Sequence, residues 1–230
     1  MKFILSRTND FENHSKKWIV GYGLLFWLVT RLVAFGLVMG CVAIYNACGL
    51  NPEDMTKFSG NPETAKSLGT PIYVFITACL IAPLLEECIF RLGLSFKRWQ
   101  VALAVAAIPA YILWQQSATL PVSSTLNYSL AILGAFSVVY FLTSDSFWQK
   151  LKSMYYKPMI WLTAIGFGLI HLIAFSNYSL TLLPYMLCLV SVPFFAGCAI
   201  TYYRVNLGFW RGVGLHIFNN LPAAAVLLTM

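Results

Sequence analysis

Charge is what this sequence has least of. Only 10% of its 230 residues are Asp, Glu, Lys or Arg, while 59% are hydrophobic. Ordinary globular proteins carry roughly 25% charged residues, so there are too few polar side chains here to cover a water-facing surface. The mean hydropathy of +0.73 agrees. A soluble protein is excluded, and an integral membrane protein is expected.

Other absences narrow the field. The six cysteines (Cys41, Cys48, Cys79, Cys88, Cys188 and Cys198) contain no CxxC pair and lie mostly in apolar stretches. They suit small buried hydrophobes better than disulfides or zinc ligands. The formal net charge is +7, but no basic stripe accompanies it, so no nucleic-acid partner is expected. The polar opening MKFILSRTNDFENHSKKW lacks a small-residue cleavage site, and no signal peptide is expected. No internal repeat or low-complexity tract is evident, nor is any separate soluble domain. The chain reads as a single integral membrane domain over residues 1–230.

The long apolar runs define that domain. A helix needs roughly 20 apolar residues to cross a bilayer. Candidate spans lie at about 18–48, 71–94, 99–114, 128–143, 158–176, 179–203 and 207–228. The fold class expected is all-α, a polytopic transmembrane bundle of seven spans, or eight. Lys and Arg concentrate in cytoplasmic segments. With the N-terminus inside, eleven basic residues (Lys2, Arg7, Lys16, Lys17, Lys97, Arg98, Lys150, Lys152, Lys157, Arg204 and Arg211) face the cytoplasm, and two, Lys57 and Lys66, face outward. Arg31 and Arg91 remain inside apolar spans.

Ionisable groups inside a span cost at least ~2.5–3.5 kcal/mol each and mark function by default. Six of the eight acids fall in tails or loops; the other two, Glu86 and Glu87, are adjacent in LIAPLLEECIFRLGL. His171 and His216 also lie within spans, whereas His14 is in the N-terminal tail. Glu87 and Arg91 are four residues apart, which puts them on one helix face as an ion pair. Glu86 is turned about 100° from Glu87 and escapes that pairing. Phe167 and His171 are four apart, as are His216 and Asn220. Either histidine by itself would also suit a core residue bonded to a backbone carbonyl.

Together, a carboxylate, two imidazoles and an amide support water activation. A carboxylate in a low-dielectric cavity holds protons more tightly, as a general base should. One imidazole relays the proton, and a second imidazole and an amide are donors for a developing oxyanion. No serine or cysteine sits at helical spacing from either histidine as a nucleophile, and Cys88 reads as packing.

These residues spell three ordered motifs: EExxxR from Glu86 to Arg91, FxxxH from Phe167 to His171, and HxxxN from His216 to Asn220. In that order on three membrane helices they resemble the CPBP family, the CAAX prenyl proteases with the bacteriocin-processing and Abi-type bacterial membrane proteins. The resemblance covers about residues 71–225. It implies an intramembrane glutamate-type endopeptidase. In it Glu86 and His171 would activate water, His216 and Asn220 would stabilise the oxyanion, and Glu87, Arg91 and Phe167 would support them. The implied substrate is a membrane-associated protein or peptide undergoing maturation or C-terminal processing; the short chain without a soluble domain suits a bacterial inner membrane.

No cofactor is favoured. Zinc is the alternative, with Glu86, His171 and His216 as ligands, but that choice would consume the carboxylate wanted as base. Outside catalysis, the same polar cluster would serve a membrane-embedded immunity or binding protein, or a transporter subunit. A transporter would more often show repeat symmetry.

Overall fold

The computed structural model describes residues 15–51, 71–116, 122–175 and 179–228. Most of the long connection expected at 49–70, and the N-terminal tail with His14, Lys2 and Arg7, lie outside the described residues. The described chain is helical, with no strand. In order the helices are α1 (Lys16–Ala47), α2 (Pro71–Ile76), α3 (Ala82–Arg91), α4 (Arg98–Gln116), α5 (Val122–Leu142), α6 (Asp145–Ile170), α7 (Leu183–Leu207) and α8 (Phe209–Leu228). A π-helical turn, Thr77–Ile81, links α2 to α3, and 3-10 turns follow α3 (Leu92–Ser95) and α6 (His171–Ala174).

The expected spans overlap these helices, although 71–94 is divided among α2, the π turn, α3 and a 3-10 turn. Four stretches are long and apolar enough to cross a membrane: Lys16–Ala47, Ser124–Leu142, Asp145–Ile173 and Leu183–Leu207. Their outer faces carry large apolar side chains, such as Leu32 and Phe35 on α1 and Leu133 on α5, all more than 60% exposed. In water that exposure would be a liability; facing lipid it costs nothing. No disulfide joins any of the six cysteines.

One boundary differs from expectation. The span expected to begin near residue 158 begins thirteen residues earlier, at Asp145. The Ser144 hydroxyl accepts from the Phe147 N–H at 3.2 Å, and Asp145 places negative charge in the first turn, both favourable at a helix start. Lys150, Lys152 and Lys157 therefore ride on a helix instead of a loop.

The chain divides into two compact units. The first joins Met1–Leu80 to Ala164–Met230; the second is Ile81–Thr163. In the first unit α1 packs along α7, α7 against α8, and α8 against α2. Tyr202 and Tyr203 of α7 donate their hydroxyls to the Ile19 and Val20 carbonyls of α1, at 3.3 and 2.9 Å. Gly23 makes that approach possible, because a Cβ there would meet the Tyr203 ring at 2.3 Å. At its far end α1 closes with Gly49 at φ +73°. The Leu50 N–H bonds the Tyr45 carbonyl and the Gly49 N–H bonds the Asn46 carbonyl, both at 3.0 Å, which is the Schellman ending.

In the second unit α4 packs against α3 and α5. Ala102, Ala104, Ala106 and Ala107 are buried on α4, small residues that let helices approach closely in lipid. At the start of α6, the Asp145 carboxylate accepts from the Arg98 N–H at 3.1 Å. Nearby, Gln149 donates to the Phe96 carbonyl at 3.0 Å.

Candidate functional site

The seven motif residues fall in both units. Glu86, Glu87 and Arg91 lie on α3 in the second; Phe167, His171, His216 and Asn220 lie in the first.

On α3 the expected ion pair forms. Arg91 donates to a Glu87 carboxylate oxygen, and both side chains are wholly buried. In a low-dielectric interior such a pair is stable only as a pair, since removing either partner strands the other's charge. Glu86, half-buried, lies about 100° round the same helix.

In the first unit, Phe167 is fully buried and its ring meets both imidazoles edge-on. The centroid distances are 5.1 Å to His171 and 5.4 Å to His216, at interplanar angles of 69° and 85°. Gly168 seats this stretch against α7, since a Cβ there would approach Phe194 to 2.8 Å. α6 ends at Ile170, so His171 opens the 3-10 turn. Its Nδ1 lies 2.7 Å from the Phe167 carbonyl oxygen. A carbonyl only accepts, so Nδ1 carries the proton and the lone pair of the neutral ring sits on Nε2. His171 is thus bonded to a backbone carbonyl, as a core histidine would be. His216 is buried on α8, at 2% exposure.

Asn220 reaches back to the π turn. Its Nδ2 donates to the Ala78 carbonyl at 3.0 Å. In an i→i+5 turn the backbone donor to that carbonyl would be residue 83, which is proline and has no N–H. The asparagine supplies the missing donor. An amide NH₂ has two N–H groups, so this bond leaves a second one for other use.

The motifs passed over Asn219. Its Oδ1 accepts from Arg31 and, at 3.1 Å, from the Trp27 indole N–H, one turn apart on α1. Its Nδ2 donates to Asn220 Oδ1 at 3.1 Å. A polar chain thus runs from Arg31 through Asn219 and Asn220 to Ala78. The available signal was Arg31, a charge in mid-span; which residue would meet it was not readable from spacing.

Among the described residues no group of three His, Cys, Asp or Glu is placed to hold a metal ion. Compared with family models, curated proteins and solved structures, the chain matches none.

Proposed function

We propose that this chain is an intramembrane endopeptidase of the CPBP kind. It hydrolyses a peptide bond in a membrane-associated protein or peptide during maturation or C-terminal processing. The observation that carries the reading is the ring cluster: two titratable imidazoles from separate helices meet one buried phenylalanine inside an apolar interior. Packing alone has little use for two histidines there.

In this mechanism Glu86 accepts the proton of the attacking water. His171, with its Nδ1 proton committed to the Phe167 carbonyl, uses Nε2 to relay that proton to the leaving amine. His216 and the second N–H of Asn220 donate to the developing oxyanion. Glu87 and Arg91 hold the rotation of α3. The reaction needs no metal in this scheme. The basic-residue bias supports a cytoplasmic N-terminus, and the proposed location is a bacterial inner membrane.

The test uses the purified full chain in proteoliposomes with a library of membrane-inserted peptides, in ¹⁸O-water. Mass spectrometry should find new C-termini carrying one ¹⁸O from the attacking water. Glu86→Gln and His171→Ala should abolish them while the thermal melt stays intact, and exhaustive chelation should leave them unchanged. Undiminished cleavage by folded Glu86→Gln overturns the mechanism. Loss on chelation with return on zinc addition would make Glu86 a ligand.

A further inference from the structure

Arg31 is the sixteenth residue of a 32-residue helix, roughly 22–24 Å from either end at 1.5 Å per residue. That is the midpoint of a helix long and apolar enough to cross a membrane. Its position is costly, yet among the described residues no acid pairs with it. What holds it is neutral: one N–H donates to Asn219 Oδ1, an oxygen already shared with Trp27. The Nε atom is buried and has no hydrogen-bond partner among the described residues.

A guanidinium presents five N–H groups, and its Nε edge forms a fork that matches a carboxylate bidentately. Here the amide of Asn219 fixes the head group by Nη2, and Nε remains unsatisfied. Asn219 of α8, itself bonded by Trp27 of α1, thus holds a cation with an unfilled, buried donor, in the same polar chain as Asn220. A purely structural pin between α1 and α8 would need no charge; the Trp27–Asn219 bond already supplies one.

We propose that Arg31 is an anion-binding residue that takes a carboxylate of a peptide lying within the membrane, through Nε and Nη. The site stands on the geometry above; calling its ligand the substrate rests on the endopeptidase reading. Lipid phosphates share the anionic chemistry, but they sit at the interface, well away from mid-span. The carboxylate comes from the peptide's C-terminus or from an acidic side chain within it.

Binding is measured without turnover, on the full-length Glu86→Gln chain in phosphatidylcholine proteoliposomes. The probe is a fluorescent Leu/Ala-rich twelve-residue peptide, read by anisotropy. Three forms are compared: free C-terminal carboxylate, C-terminal amide, and C-terminal amide with one interior Glu. At least one carboxylate form should bind about tenfold tighter than the plain amide, as a charge-assisted hydrogen bond predicts, and the winner identifies the source. Arg31→Gln should erase the preference, and Arg31→Lys should retain a fraction of it. Equal affinity for all three forms overturns the proposal without needing any Arg31 variant, and so does a preference that survives Arg31→Gln. Loss of the preference when phosphatidylglycerol is added shows a lipid phosphate site instead and also overturns it. Because the readout is binding, absence of cleavage in the ¹⁸O experiment leaves this result standing on its own.

Discussion

Arg91 reaches its partner across one turn of its own helix, whereas Arg31 reaches its partner across 188 residues of chain. Arg91 is neutralised by a carboxylate and sealed at 0% exposure. Arg31 is steadied by an amide and keeps its charge. The first arrangement ends the arginine's chemistry, because charge and donors are turned on a fixed acid. The second leaves both available. Two identical side chains in the same apolar medium therefore take opposite roles, decided by whether the partner is ionised.

Glu87→Gln breaks the first arrangement and has the largest expected effect. It strands the Arg91 charge and should cost about 3–5 kcal/mol, seen as loss of folded protein or a large drop in melting temperature. The double substitution Glu87→Leu with Arg91→Met should recover most of that loss. A single variant as stable as the parent would mean that the pair is not dry.

Asn219→Asp converts the second arrangement into the first. Arg31 would gain a fixed carboxylate, so the preference for carboxylate-bearing peptides should fall about tenfold, equivalent to about 1.4 kcal/mol. Anisotropy checks this, and an unchanged preference would show that the neutrality of Asn219 is irrelevant.

Asn220→Ala removes the donor to Ala78 and should cost about 1–2 kcal/mol in chemical or thermal unfolding. Pro83→Ala restores a backbone N–H at the position where the π turn lacks one, so the two substitutions together should cost less than their sum. Strict additivity would refute the link between the proline and the asparagine.

The smallest effect belongs to an exposed pair, Arg98 with Asp145, 3.9 Å apart and 32% and 67% exposed. Solvent and salt screen such contacts. Asp145→Asn should change stability by about 0–1 kcal/mol. A loss as large as that of Glu87→Gln would place this turn in a dry environment.

The same contrast explains what was legible in the sequence. Glu87 with Arg91 follows from four-residue spacing, and so does the placing of Phe167 and His171 on one stripe, where their rings meet edge-on. Both are properties of one helix. The apolar runs likewise place the helices, because the bilayer demands length and little else. The early start of α6 was hidden by its lysines, which read as a loop until Ser144 and Asp145 are recognised as a helix start. The π turn was hidden because Pro83 announces a missing donor without saying what replaces it. Asn219 and Asn220 lie side by side, and only the fold shows one turned to Arg31 and the other to Ala78.

The 188-residue separation of Arg31 from Asn219 also bears on how the protein is made. Ribosomes add about 5–20 residues per second, so α8 emerges roughly 10–40 s after α1. Throughout that interval the first helix presents an arginine at its midpoint, with Asn219 not yet synthesised. The first unit closes only when α1 meets α7 and α8, and a nascent chain interrupted before residue 219 leaves Arg31 without its Asn219 partner. Such a fragment bears its own mark of incompleteness, readable by any quality-control protease that recognises a misplaced cation in the membrane.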